Sequence, residues 1–261
     1  MSTQEAIKKI LDQKVKQYNK IDFIEKDPIC IPHQFTKQQD IEIAAFFAAI
    51  FAWGNRTTII NKSTELMQKM DHAPHAFCLH HQPNDLKKLF GFKHRTFNDT
   101  DLLYCIAFLK AHYEHHESLE SAFFVHHTDG KKINNITEAL IHFQQYFMSL
   151  EDAPQRTKKH ISSPAAGSTC KRLNMFLRWM VRKDHTGVDF GIWSAIKPSE
   201  LIIPIDVHVA RIARTLGILK RPQTDWEAAL ELTNYCRTLD SKDPVKYDFA
   251  LFSLGVIEKM I

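Results

Sequence analysis

The chain has 261 residues, of which 44% are hydrophobic and 25% are charged, and its formal net charge is +4. This composition is that of a water-soluble globular protein and excludes the disordered and collagen-like classes. The chain contains only eight glycines, and this low number disfavours an all-β fold built on many tight turns. The length suffices for one large domain or two small ones.

Helical periodicity dominates the first part of the chain, and no strong strand pattern competes with it. The segment 40–53 is almost wholly apolar after its first turn, which predicts a buried central helix that ends at Gly54. Asn135 has the residue type and position of a helix N-cap. We expect helices at 3–20, 40–53, 57–70, 99–115 and 135–150, followed by a loop or hairpin at 152–168.

A helix near residue 175 is amphipathic. Its apolar stripe follows the spacing i, i+3, i+4, i+7 and consists of Leu173, Phe176, Leu177 and Met180. Polar residues fall roughly along the opposite side: Lys171, Asn174, Arg178 and Arg182. Ser168 or Thr169 is expected to cap the start, where backbone N–H groups and Lys171 would converge on an anion.

A second helix begins next to Asp206 and ends at Gly217. Its buried stripe is predicted to contain Val209, Ile212, Ala213 and Leu216. Asp225 then caps a helix that runs to Arg237, and the last helix is expected at 245–260. The whole pattern predicts an all-α fold of nine or ten helices.

Positive charge is concentrated between residues 156 and 183. This window contains eight Lys or Arg residues and no Asp or Glu: Arg156, Lys158, Lys159, Lys171, Arg172, Arg178, Arg182 and Lys183. Such a concentration indicates contact with a phosphate backbone. The alternative is a solvated helix face that adjoins a basic loop.

Neither a metal nor another cofactor is expected. The five cysteines are scattered and form no CxxC pair, so we interpret them as buried or free thiols in a reducing cytoplasm. The adjacent histidine pairs His80/His81, His115/His116 and His126/His127 would point to different sides of a helix. No targeting segment is visible, and the longest apolar run is too short to span a bilayer, so we expect a cytoplasmic protein without a membrane partner.

Lys171 and Asp206 are the residues best suited to chemistry on a nucleotide. An amine can attack the anomeric carbon of the sugar and form a Schiff base, while a carboxylate stabilises the developing positive charge and helps to deprotonate the amine. Asp206 at a helix start would stay ionised, because the helix dipole favours a negative group there. As alternatives, Asp206 is a plain helix cap and Lys171 a phosphate contact.

Several segments resemble one family. Residues 205–211 read I-D-V-H-V-A-R, similar to the V-D-T-H-V-x-R segment of the helix-hairpin-helix DNA glycosylases, the endonuclease III and 8-oxoguanine glycosylase superfamily. Residues 167–174, G-S-T-C-K-R-L-N, resemble the end of the hairpin in that family. Residues 42–62 and the final Y-D-F-A-L-F-S-L-G at 247–255 resemble its upstream helix and its closing helix.

The resemblance implies that Asp206 is the catalytic carboxylate and Lys171 the catalytic lysine. The long interval between them is similar to that of the archaeal 8-oxoguanine glycosylases. The chain is also similar to an uncharacterised bacterial family, a domain of unknown function, that carries K-R-L-N-M-F-L-R-W-M-V-R and I-P-x-D-x-H-V-A-R-I-A-R.

On this basis we expect two helical lobes of the helix-hairpin-helix glycosylase type with a cleft between them, formed by residues 45–180 and by 1–44 together with 181–261. The expected function is excision of a damaged, oxidised base, with AP-lyase activity as a further possibility. A non-catalytic helix-hairpin-helix DNA-binding protein is the alternative.

The expected partner is double-stranded DNA with a damaged base, bound by a monomer associated with the nucleoid. The candidate DNA contacts are Trp53, Gly54, Asn55, Arg56, Lys158, Lys159, Gly167, Ser168, Thr169, Arg172, Arg178, His208 and Arg211.

Overall fold

The computed structural model describes residues 3–124 and 135–258, and the His126/His127 pair lies outside these ranges. The described chain is predominantly helical, so the predicted all-α class is confirmed. The elements are α1 Thr3–Tyr18, α2 Gln38–Phe51, α3 Arg56–Lys69, α4 Pro74–His80, α5 Pro83–Leu86, β1 Lys93–His94, β2 Phe97–Asn98, α6 Asp99–Tyr113, α7 Ser121–Phe124, α8 Ile136–Phe147, α9 Lys171–Val181, α10 Val207–Thr215, α11 Trp226–Leu239 and α12 Tyr247–Phe252.

The long predicted helices are confirmed with small shifts at their ends. Asn135 caps α8 by accepting a hydrogen bond from the Glu138 amide, as its residue type suggests. The segment 152–168 contains two 3-10 turns, Gln155–His160 and Pro164–Ala166. A π-helical stretch, Ser253–Ile257, continues α12. The antiparallel β1–β2 hairpin was not predicted.

The chain divides into two compact units, one formed by residues 26–162 and the other by residues 1–25 and 163–261. These boundaries differ from the expected lobes, 45–180 and 1–44 together with 181–261. With the observed boundaries, α2 lies wholly in the unit 26–162, and α9 lies in the same unit as α10 and α12.

The unit 26–162 is organised around α2, whose residues from Ile41 to Phe51 are all buried. A helix that is apolar on every side must be surrounded by other elements. Its one buried carboxylate, Glu42, accepts hydrogen bonds from the Tyr113 hydroxyl at 2.7 Å and from the Leu119 amide at 2.8 Å. These partners offset the cost of burying the charge.

In the other unit, α1 and α10 both pack against α12. Gly255 lets the π-helical stretch approach α10 closely, because a Cβ atom there would lie 3.2 Å from the His208 carbonyl oxygen. Within the described part of the chain, none of the helices has both the length and the apolar character needed to cross a membrane.

Candidate functional site

The structure brings Lys171 and Asp206 together. Lys171 is the first residue of α9, and Asp206 is the residue immediately before α10. The Lys171 Nζ atom lies 2.8 Å from Asp206 Oδ2, and the two side chains are 28% and 19% exposed. The pair is therefore partly screened from water, yet it remains within reach of a ligand.

Asp206 is held in place by the helix that it caps. Its Oδ1 atom accepts hydrogen bonds from the His208 amide at 2.9 Å and from the Val209 amide at 3.0 Å. Burial works to raise the pKa of Asp206, but the Lys171 ammonium and these two amides outweigh it and hold the pKa below its ordinary value. One carboxylate oxygen is thus used for capping, and the other faces the amine in its ionised form.

The start of α9 differs from the prediction. Its N-cap is Cys170, which makes no capping hydrogen bond through its side chain, so the expected cap by Ser168 or Thr169 is wrong. The reason is a left-handed backbone at Cys170, with φ of 50°. Ser168 Oγ accepts instead from the Cys170 amide at 3.1 Å, which supports this turn rather than the helix.

Arg178 was predicted to contact DNA, and the structure corrects this assignment. The residue is only 4% exposed. Its guanidinium donates to Asp189 Oδ1 at 3.3 Å and to Asp248 Oδ2. Two buried carboxylates therefore neutralise the cation and leave no path to a phosphate.

Arg182 is buried and neutralised in the same way. It is 2% exposed and forms ion pairs with Asp184, Asp189 and Asp243. Asn174, on the same side of α9, is 1% exposed. The polar face of α9 is thus buried beyond Lys171, and two of the eight cations counted between residues 156 and 183 belong to an internal network.

Asp248 belongs to this internal network, and the charges of the candidate pair also affect its carboxyl. Burial raises the pKa of its carboxyl from 3.8 to about 6, partly offset by the Arg178 and Lys171 cations, while the Asp206 charge adds to the increase. The sequence gives this residue only a position near the start of the last helix. Its buried ion pair with Arg178 depends on the tertiary structure.

This raised pKa predicts a pH dependence of stability. Between about pH 4 and about pH 6 the folded chain keeps the Asp248 proton that the unfolded chain has lost, so this group's contribution to stability falls as the pH rises. The free energy of unfolding of the wild type should therefore decrease across this window relative to that of Asp248→Asn. Urea melts of both proteins at several pH values measure the difference. A relative increase would show that the Arg178 ion pair outweighs burial.

Four other candidate DNA contacts belong to the same unit as the Lys171–Asp206 pair. Gly167 is exposed and has a left-handed φ of 71°. His208 is exposed in the first turn of α10, two residues after Asp206. Arg211 donates to the Gly255 carbonyl at 3.2 Å, which ties α10 to the π-helical stretch. Burial lowers the pKa of the Arg172 guanidinium to about 10.

The candidates in the unit 26–162 lie in two exposed turns. Trp53 is half-buried, and Gly54 is exposed with a φ of 99°. Asn55 caps α3 by accepting from the Thr58 amide at 3.1 Å, and Arg56 opens that helix. Lys158 and Lys159 are exposed in the 3-10 turn Gln155–His160.

One further residue was not singled out by the sequence. The Arg95 guanidinium carbon lies 4.6 Å from the centre of the Trp53 ring. Arg95 sits at the tip of the β1–β2 hairpin, whose strands of two residues are too short for an alternating pattern. Within residues 3–124 and 135–258, no group of three or more His, Cys, Asp or Glu side chains is arranged to hold a metal ion.

Comparison with known proteins adds one finding. No curated protein and no solved structure matches the chain. A family model described as "Protein of unknown function (DUF2400)" matches residues 27–257. Since the match covers most of the sequence, the chain belongs to this family.

Proposed function

We propose that the protein is a DNA glycosylase that excises a damaged base, with Lys171 as the nucleophile and Asp206 as its proton acceptor. The observation that carries the proposal is the distance of 2.8 Å between Lys171 Nζ and Asp206 Oδ2, at the adjacent starts of two helices. An amine and a carboxylate in direct contact and partly open to solvent form the smallest set of groups able to perform a Schiff-base excision.

The reaction would begin with transfer of a proton from the Lys171 ammonium to Asp206. The neutral amine then attacks C1′ of the sugar, so that the N–C1′ bond forms while the bond from C1′ to the base breaks. The departing base takes the bonding electron pair and receives the proton from Asp206. The Lys171 nitrogen next loses a proton to Asp206, and the C1′–O4′ bond opens as O4′ takes up this proton. The product is a Schiff base between Lys171 and C1′.

The environment of Asp206 suits this sequence of steps. Its lowered pKa keeps it ionised at neutral pH, so its charge can stabilise the positive charge that develops at C1′ as the base leaves. Capping by the His208 and Val209 amides fixes the carboxylate, which removes the entropic cost of orienting it for each transfer. The proposal includes the two-lobe helix-hairpin-helix arrangement, an oxidised purine as the excised base, and action as a monomer on double-stranded DNA.

Borohydride trapping tests this proposal. Duplexes that carry 8-oxoguanine, uracil or an abasic site are incubated with the protein and sodium borohydride, which reduces a Schiff base to a stable covalent adduct. We expect an adduct with the wild type on at least one duplex, and none with Lys171→Ala.

A matched control is available in the same unit. Lys246 forms a similar partly exposed ion pair with Asp240, in which the side chains are 21% and 28% exposed, and Lys246→Ala should still be trapped. Absence of any wild-type adduct on all three duplexes would refute the lyase chemistry. Persistence of the adduct in Lys171→Ala would refute the assignment of the nucleophile.

A non-catalytic DNA-binding protein is the second candidate function. The observation that favours it is that Asp206 already has two structural roles, as the cap of α10 and as the partner of Lys171. If these roles are its only ones, the wild type binds duplex DNA without releasing a base, and binding survives Asp206→Asn.

A further inference from the structure

The β1–β2 hairpin presents a cation whose position is strongly constrained. Arg95 has a φ of 56°, a left-handed backbone that side chains other than glycine rarely adopt. Its guanidinium carbon lies 4.6 Å from the centre of the Trp53 ring, within the range of a cation–π interaction. A strained backbone at an exposed residue is a reason to look for a function there.

Gly54 leaves room for this arrangement. A Cβ atom at position 54 would lie 2.6 Å from Arg95 Nη1, so any side chain there would displace the guanidinium from Trp53. The α2–α3 turn therefore supplies both the aromatic surface and the space that Arg95 occupies. A cation–π contact uses no N–H group of the guanidinium as a hydrogen-bond donor to another side chain, so Arg95 can still donate to a ligand.

A second arginine also reaches the hairpin tip. Arg156 Nη2 donates to the Thr96 carbonyl at 3.0 Å and lies 3.4 Å from the buried Asp101 carboxylate, while its side chain stays 38% exposed. Thr96 is the residue next to Arg95. Two cations from separate parts of the sequence therefore meet at one turn.

The three segments that meet here carry positive charge only. Residues 53–58, 93–98 and 153–160 contain Arg56, Lys93, Arg95, Arg156, Lys158 and Lys159, and no Asp or Glu. We call these six residues together with Trp53 and Gly54 the hairpin surface. Among the described residues, no carboxylate forms a salt bridge with Arg95, Lys93 or Lys158, in contrast to Arg178 and Arg182, which are neutralised internally.

We propose that the hairpin surface binds the phosphate backbone of duplex DNA, with Arg95 as its central contact. A planar guanidinium can donate two parallel hydrogen bonds to one phosphate, and neighbouring lysines add attraction that does not depend on sequence. This inference rests on the proposed function for the choice of DNA as partner. It joins two groups of candidate contacts that the sequence left separate, and it adds Lys93, Arg95 and Arg156.

The test measures how binding of the full chain to an undamaged duplex of about 20 base pairs depends on salt, by fluorescence anisotropy. The slope of log affinity against log salt is negative, and each lost phosphate contact reduces its magnitude by about 0.9. Arg95→Gln should therefore reduce this magnitude by about one, and Arg95→Gln/Arg156→Gln by about two. Lys87→Gln, which removes an exposed lysine of the same unit outside the three segments, should leave the slope unchanged.

The outcomes separate this inference from the glycosylase proposal. A hairpin-dependent slope in a wild type that is never trapped by borohydride supports the surface and refutes the chemistry. A trapped wild type with the same slope in all variants overturns the surface alone. Preferred binding to single-stranded RNA or to vesicles of anionic lipid overturns the choice of partner. If Arg95→Gln fails to fold, as judged by circular dichroism, Arg156→Gln by itself carries the test.

Discussion

Asp206→Asn should lower the rate of base excision by about 10²- to 10⁴-fold, the contribution that a positioned proton acceptor makes. The substitution is informative because it separates the two roles of the carboxylate. Asparagine is as good an N-cap as aspartate, so the hydrogen bonds from the His208 and Val209 amides are retained. The charge that faces Lys171 at 2.8 Å is lost. Single-turnover kinetics on the duplex that gives the strongest trapped adduct measures the effect.

The chain offers a matched control for Asp206→Asn. Asp225 caps α11 by accepting from the Ala228 amide at 3.1 Å, and it forms an ion pair with Arg221 at 2.6 Å. Asp225→Asn therefore makes the same chemical change at the same structural position, in a carboxylate that pairs with Arg221 instead of Lys171. We expect it to leave the excision rate unchanged. If Asp206→Asn is as active as Asp225→Asn, Asp206 acts only as a cap and the non-catalytic alternative is correct.

The contact between Lys171 and Asp206 could be anticipated because both residues lie at helix starts within short, distinctive motifs. Helix periodicity and capping chemistry are local properties. They predicted both ends of α10, and they placed the start of α9 within two residues although its predicted cap is wrong. Capping also placed the carboxylate next to the helix amides. Local rules therefore placed each group at a helix start, whereas their pairing was implied by the resemblance to the glycosylase family.

The burial of Arg178 could not be anticipated in the same way. On a helical wheel a polar residue opposite the apolar stripe is expected to face solvent. Here the irregular segment after α9 folds back on it: the Phe190 amide donates to the Trp179 carbonyl at 2.8 Å, and the Trp193 amide donates to the Met180 carbonyl at 2.9 Å. Because the chain folds back here, Asp189 lies next to Arg178. Periodicity carries no information about such a segment.

The hairpin surface could not be predicted from the sequence, for a related reason. Its basic residues are spread over three segments, and each segment has the composition of an ordinary exposed turn. What joins them is the stacking of Arg95 on Trp53 and the hydrogen bond from Arg156 to Thr96. Both are long-range contacts of single side chains, and local sequence rules do not address them.

Arg178→Met should reduce the free energy of unfolding by about 3–5 kcal/mol, the cost of removing one partner from a buried ion pair. The change leaves Asp189 without one of its two arginine partners, and Asp248 without its ion pair. It also removes a guanidinium that lies 4.4 Å from the centre of the Phe249 ring. Equilibrium unfolding in urea, followed by far-UV circular dichroism, measures the loss. Lys8→Gln, which breaks an exposed ion pair with Asp12, should change stability little.

A double variant tests the cause of this destabilisation. In Arg178→Met/Asp248→Asn the carboxylate that has lost its ion pair is replaced by a neutral amide, so the double variant should be more stable than the sum of the two single changes allows. This coupling distinguishes an internal role from the DNA contact that composition suggests for Arg178. A residue that faced phosphate would lose DNA affinity on substitution with little change in stability. Arg178→Met with wild-type unfolding and a reduced salt slope would therefore return Arg178 to the DNA-binding surface.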